Sequence, residues 1–187
     1  MTTHVALLRG INVGRQQIGM EELRALFVSL GHEDVTTYLR SGNVIFRSAI
    51  DEASELAARI EGRIAEKLGL GVAVVMRSAS ELAEVVDKNP FLGGRANPSS
   101  LHVTFLADAP GPSTVPRIDA TPFAPDELVV VDREVYLHCP EGYGKTKLSN
   151  AFFERHLGVV ATTRNWRTVT KLAELAGTQA SVRRPDQ

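Results

Sequence analysis

Gly144-Lys145-Thr146 lies between a strand-like and a helix-like run, where a phosphate-cradling loop would place its last glycine, lysine and hydroxyl. Such a loop needs another glycine five residues earlier, so that the backbone can wrap the phosphates, and Cys139 stands there instead. No later strand ends in an aspartate suited to magnesium. Cys139 beside His138 suggests a thiolate and its base. Strand alternation, however, sets Cys139 with Val135 and Leu137, and His138 with Tyr136 on the other face, so the two cannot bond each other. A buried, structural thiol is expected. His4, His32, His102, His138 and His156 are scattered, without the i, i+4 or H-x-x-E spacing that brings two ligands to one metal. No glycine-flanked serine elbow is present. Neither a metal nor a cofactor is expected.

Four polar segments remain: Arg9 to Gly14, Arg40 to Asn43, Gly142 to Lys147, and Thr162 to Trp166. Whether they meet depends on the elements that carry them. His4 to Arg9 has a buried-strand composition. Met20, Leu23, Leu26, Phe27 and Leu30 recur at helical spacing, with Gly31 placed to stop the helix. Val35, Thr37 and Leu39 alternate with Thr36, Tyr38 and Arg40 as a half-buried strand, and Ser41-Gly42 reads as a two-residue hairpin turn into Asn43 to Arg47. Leu56, Ala57, Ile60, Ile64 and Leu68 form the stripe of a second helix closed by Gly69, and Val72 to Met76 is a fourth strand. The order βαββαβ is a ferredoxin-like split unit.

Ser78 and Glu81 form a capping box for a short helix that Asn89-Pro90 ends. The remainder is a degenerate echo. Leu101 to Leu106 is a strand, and the proline-rich stretch from Ala107 to Pro125 is mostly loop. Leu128 to Val131 and Val135 to Cys139 form a hairpin, Leu148 to Leu157 a helix, and Val159 to Ala161 a short strand. Asn165 caps a last helix carrying Trp166, Val169, Leu172 and Ala173, with Gly177 as its stop. The expected fold class is α+β. Residues 1–77 form one ferredoxin-like half, 78–100 a connecting helix and loop, 101–177 a second half with a C-terminal helix, and 178–187 a frayed tail. The halves are expected to pack as one compact body.

The runs LLRGINVG, YLRSGNVIF, EGYGKTKLSNAFFERHLGV and ATTRNWRTVTKLAELA, in that order, resemble the signature segments of a bacterial family of unknown function, DUF1697. The family pattern has glutamine where this chain has Arg40, and arginine-serine where it has Lys145-Thr146. The resemblance implies a tandem ferredoxin-like arrangement and no established activity.

In a split βαββαβ unit the first two strands run parallel, so the end of the first strand and the second-to-third hairpin share one sheet end. Arg9 and Asn12 should therefore lie near Arg40, Ser41 and Asn43. By the same rule Tyr143, Lys145, Lys147 and Asn150 should lie near Arg164 and Asn165. The latter group sits at helix N-termini, where free N–H groups favour an anion. Lys145, Lys147, Arg164 and Arg167 add positive charge. The alternative is that the glycines only serve turns and the asparagines only brace backbone.

Formal charge is -1, from 21 basic and 22 acidic residues, so no general duplex-binding surface is expected. One cysteine excludes an internal disulfide. Residues 1–10 lack a basic n-region, no apolar run could span a bilayer, and the cytoplasm is the default address. The leading expectation is a binding module for a phosphate-bearing ligand, either a nucleotide or single-stranded nucleic acid. An enzyme acting on a phosphorylated metabolite would need a carboxylate or histidine of shifted pKa among the basic groups. A non-catalytic interaction scaffold would show an exposed apolar patch instead.

Overall fold

The computed structural model describes residues 1–14, 16–94, 96–115, 118 and 121–181. The chain divides into two units, Met1–Glu84 together with the chain from Lys171, and Val85–Thr170. The first unit runs β1 (Thr2–Leu8), α1 (Met20–Ser29), β2 (Glu33–Tyr38), β3 (Asn43–Ser48), α2 (Ala53–Leu68) and β4 (Val74–Ser78). Its antiparallel sheet has the ferredoxin-like order β2-β3-β1-β4. Leu23, Leu26 and Phe27 of α1 and Leu56, Ile60 and Ile64 of α2 pack with Ala6, Leu8, Val44, Phe46 and Met76 of the strands. Each fully buried aliphatic side chain of α2 is worth about 1.5–3 kcal/mol against exposure, so Ile60→Ala would cost about 2–5 kcal/mol including the cavity. Gly69 ends α2 in the left-handed conformation, with φ 66°.

α3 (Ala79–Asp87) opens on the expected capping box: Ser78 N–H donates to Glu81 at 2.7 Å, and Glu81 N–H donates to Ser78 Oγ at 3.2 Å. The second unit contains β5 (Leu101–Leu106), β6 (Glu127–Val131), β7 (Glu134–His138), α4 (Asn150–Leu157) and β8 (Ala161–Asn165). Its sheet order, β6-β7-β5-β8, repeats the first. Among the described residues of 107–126 there is no α-helix, and no counterpart of α1 appears among them. Phe153 and Leu157 of α4 pack against Leu137, Cys139 and Leu106. α5 (Trp166–Ser181) follows β8 directly. No described helix is long and apolar enough to cross a membrane.

The echo extends to single residues. His4 pairs with Ser78 and Val5 with Arg77; His102 pairs with Asn165 and Val103 with Arg164. Each closing strand thus carries an arginine and then the residue that caps the next helix. Asn165 Oδ1 accepts from Thr168 N–H at 2.8 Å, matching the role of Ser78.

Three local readings change. Leu39 is not a strand residue: β2 ends at Tyr38, and Leu39 sits in a four-residue turn with φ 57° and 53% exposure. The turn lengthens because Asn43 Nδ2 donates to Tyr38 O and to Ser41 Oγ across it. β8 spans Ala161–Asn165 rather than 159–161, which makes Arg164 a strand residue. Gly177 does not stop α5. The helix continues to Ser181, with Thr178 Oγ1 donating to Glu174 O and Ser181 Oγ to Gly177 O. Residues 182–187 of the expected tail lie outside the described residues.

Candidate functional site

In the first unit the predicted convergence occurs, and its contacts are internal. Leu8 N–H donates to Gly42 O at 2.8 Å, joining the end of β1 to the β2–β3 turn. Asn12 Nδ2 donates to Arg40 O at 2.6 Å and to Ile18 O at 3.1 Å, while its Oδ1 accepts from Ile18 N–H at 2.9 Å. Asn43 is fully buried and spends its amide on Tyr38 and Ser41. Gly42 has φ +77°, and a Cβ there would lie 2.7 Å from the Ile11 side chain. Arg9 is half-buried; Arg40 and Ser41 are exposed. The asparagines hold loops together, and their polar atoms do not point at a vacancy.

In the second unit the predicted cluster splits. Tyr143, Asn150 and Arg164 gather around Thr163. Thr163 Oγ1 donates to Asn150 Oδ1 at 2.6 Å and lies 2.7 Å from Thr104 Oγ1, and the Tyr143 hydroxyl bonds Thr163 as well. Arg164 is buried, with Nη1 donating to Thr162 Oγ1 at 2.8 Å and Thr163 O at 2.9 Å. Burial pulls its guanidinium down to about 10 while Tyr143 acts the other way, so it remains a cation at neutral pH. Desolvation likewise raises the Tyr143 hydroxyl. Lys145 and Lys147 lie elsewhere: they line a recess of about 230 Å³ with Asp126, Glu141 and the Pro122–Pro125 turn. Two carboxylates share that recess, so it is not simply cationic. Thr146 Oγ1 accepts from Leu148 N–H at 3.1 Å, a bracing role in a loop that sequence alone could take for a phosphate cradle. Cys139 is fully buried and its thiol is pushed up to about 11, chiefly by desolvation, which fits the structural role expected for it.

A second recess, of about 640 Å³, opens where β8 turns into α5. It is lined by Asn97, Pro98, Ser99, His102, Asn165, Trp166, Arg167 and Thr170. Of the residues named for the second cluster, Asn165 and Arg167 reach it, with Trp166 of the fourth polar segment between them. His102 and Trp166 supply buried flat faces, 9% and 6% exposed. Tyr143 stacks on His102, centroids 4.8 Å apart and planes 24° off parallel. Arg167 is exposed, and no ion pair engages it among the described residues. Burial lowers the His102 pKa, against a weaker upward pull from the Ser100 carbonyl, so the ring is neutral at pH 7. The scattered placement of the histidines hid this one. The usable signal was the repeated His-Val pair, His4-Val5 and His102-Val103, at the same station of two equivalent strands. No group of three or more His, Cys, Asp or Glu among the described residues could hold a metal.

No curated protein matches the chain. Among solved structures, a conserved bacterial protein from Streptococcus pneumoniae superposes with a TM-score of 0.70 at 25% identity, covering 94% of this chain and 98% of that one. The family described as "Protein of unknown function (DUF1697)" matches residues 1–136, from β1 into β7. That span contains LLRGINVG and YLRSGNVIF and ends before the other two signature runs. A match over well more than half of the sequence, on a tandem ferredoxin-like frame, makes this chain a member of the DUF1697 family.

Proposed function

We propose that the second unit binds a phosphate-bearing ligand of the nucleotide class, in the recess where β8 passes into α5. The observation that carries this reading is the composition of that recess: an exposed arginine, two flat buried side chains and two asparagines around about 640 Å³. Pockets for small ligands commonly span 300–1,000 Å³ and combine apolar walls with a few placed polar groups. Arg167 suits an anionic oxygen pair, and the start of a 16-residue helix adds a favourable dipole. Trp166 and His102 offer ring faces. Lys145 and Lys147, in their own recess with Asp126 and Glu141, are not part of this reading.

Calorimetric titration with adenosine monophosphate, inorganic phosphate and an oligothymidylate tests it. Saturable, salt-sensitive binding of adenosine monophosphate is expected, weakened roughly tenfold by Arg167→Ala and unchanged by Lys147→Ala. Binding of the oligothymidylate alone would replace the nucleotide with a single strand. Failure of all three to bind at low salt would overturn the reading.

A further inference from the structure

The polar groups around this recess are mostly donors, or acceptors already in use. Asn97 Oδ1 accepts from Ser99 N–H at 3.0 Å and from Ser99 Oγ at 2.9 Å. Asn165 Oδ1 accepts from Thr168 N–H at 2.8 Å. Thr170 Oγ1 donates to main-chain carbonyls of Trp166 and Arg167, each at 3.1 Å. These side chains still offer a guest the amide N–H of Asn97 and Asn165, the guanidinium of Arg167 and the hydroxyl lone pairs of Ser99 and Thr170.

His102 adds an acceptor on a ring held in place by stacking. Its Nδ1 lies 3.4 Å from Ser100 O. A carbonyl can only accept, so Nδ1 carries the proton and Nε2 of the neutral ring keeps a free lone pair. The Nε2 atoms of His4 and His32 are sealed from solvent without a partner, whereas that of His102 is not among the sealed atoms and its ring lines the recess. The stack on Tyr143 fixes the ring plane, so this lone pair is presented in one direction.

We propose that His102 is the specificity-determining residue of the recess: its Nε2 accepts a hydrogen bond from an N–H on the ligand's ring, so the site selects an amino-bearing heteroaromatic phosphate. This rests on the binding reading above and adds a selection rule to it. Arg167 and the asparagine amides take the anionic end; His102 reads the opposite edge. Tyr143, from the turn before α4, stacks on the ring, Arg167 of α5 shares the recess with it, and no carboxylate that would hold the imidazole protonated lines that recess. Lowering the pH until Nε2 gains a proton turns the acceptor into a donor and should abolish the preference.

The test compares adenosine monophosphate with purine riboside monophosphate, which differs by lacking the exocyclic amine. The unaltered protein should bind the amino compound roughly five- to tenfold more tightly. His102→Phe, which keeps the ring and its stack, should remove the preference while both ligands still bind, and His102→Gln, which restores an acceptor, should recover part of it. Arg167→Ala should weaken both ligands equally. Equal affinities in the unaltered protein would overturn the role of His102 and leave the binding site standing. Absence of binding by both nucleotides and by phosphate would overturn the site itself and the selection rule with it. The ligand pair reads the outcome without any substitution, so a variant that failed to fold would not protect the idea.

Discussion

His4 and His102 occupy the same station in two copies of one strand pattern, and they have become different things. Each ties a ring nitrogen to a main-chain carbonyl, Ile50 in one case and Ser100 in the other. Around His4 the neighbours are Phe46, at 5.8 Å between centroids, with His32 on the same phenyl ring at 4.5 Å, and the remaining nitrogen is sealed without a partner. Around His102 the neighbour is Tyr143, and the remaining ring edge lies at a recess. Backbone register brought both imidazoles to equivalent places. What faces each ring then decided whether it is filler or a reader of ligands.

The two loop clusters divide in the same way, and the sharpest test is at the braced end. Gly42→Ala should cost about 3 kcal/mol in chemical denaturation, because alanine is strained at φ +77° and its Cβ meets Ile11. Asn12→Ala should cost less, about 2 kcal/mol, through the loss of three hydrogen bonds across the loop. Were either substitution neutral, the claim that this end is a structural brace would fail. A smaller loss is expected on acidification. Burial lowers the pKa values of His4, His32 and His102, so the folded state resists protons that the unfolded chain accepts. Their contribution is complete above about pH 6.5 and is lost as pH falls from there toward the lowered folded values. Denaturation midpoints at pH 7.5 and pH 5.0 measure it, and His4→Leu should flatten that slope without changing nucleotide binding. The smallest effect on stability belongs to Arg167→Ala, within about 0.5 kcal/mol for an exposed side chain, although it is the change that should weaken binding most.

The frame was legible because it rests on short-range rules. Apolar spacing located α2, Ser78 with Glu81 announced the start of α3, and Asn165 announced that of α5. Split βαββαβ topology was enough to join Asn12 to Arg40, 28 residues apart in the chain. The chemistry of the second unit was not legible in that way. Arg164 reads as a loop cation until β8 is seen to extend through Asn165, which turns its guanidinium inward among threonines. Lys145 and Lys147 share a segment with Tyr143, yet they line a separate recess with Asp126 and Glu141. Leu39 alternates properly for a strand, but the amide of Asn43 recruits the preceding carbonyl and bends the chain there. Spacing says which side chains share a face; it does not say which of them solvent will reach.

The one cysteine has a practical consequence. Because Cys139 is enclosed and scarcely ionised at neutral pH, a new thiol introduced at Ser99 would react alone with a maleimide dye, with no native residue removed first. A fluorophore on that rim would report directly, by its change in brightness, whether anything enters beside His102.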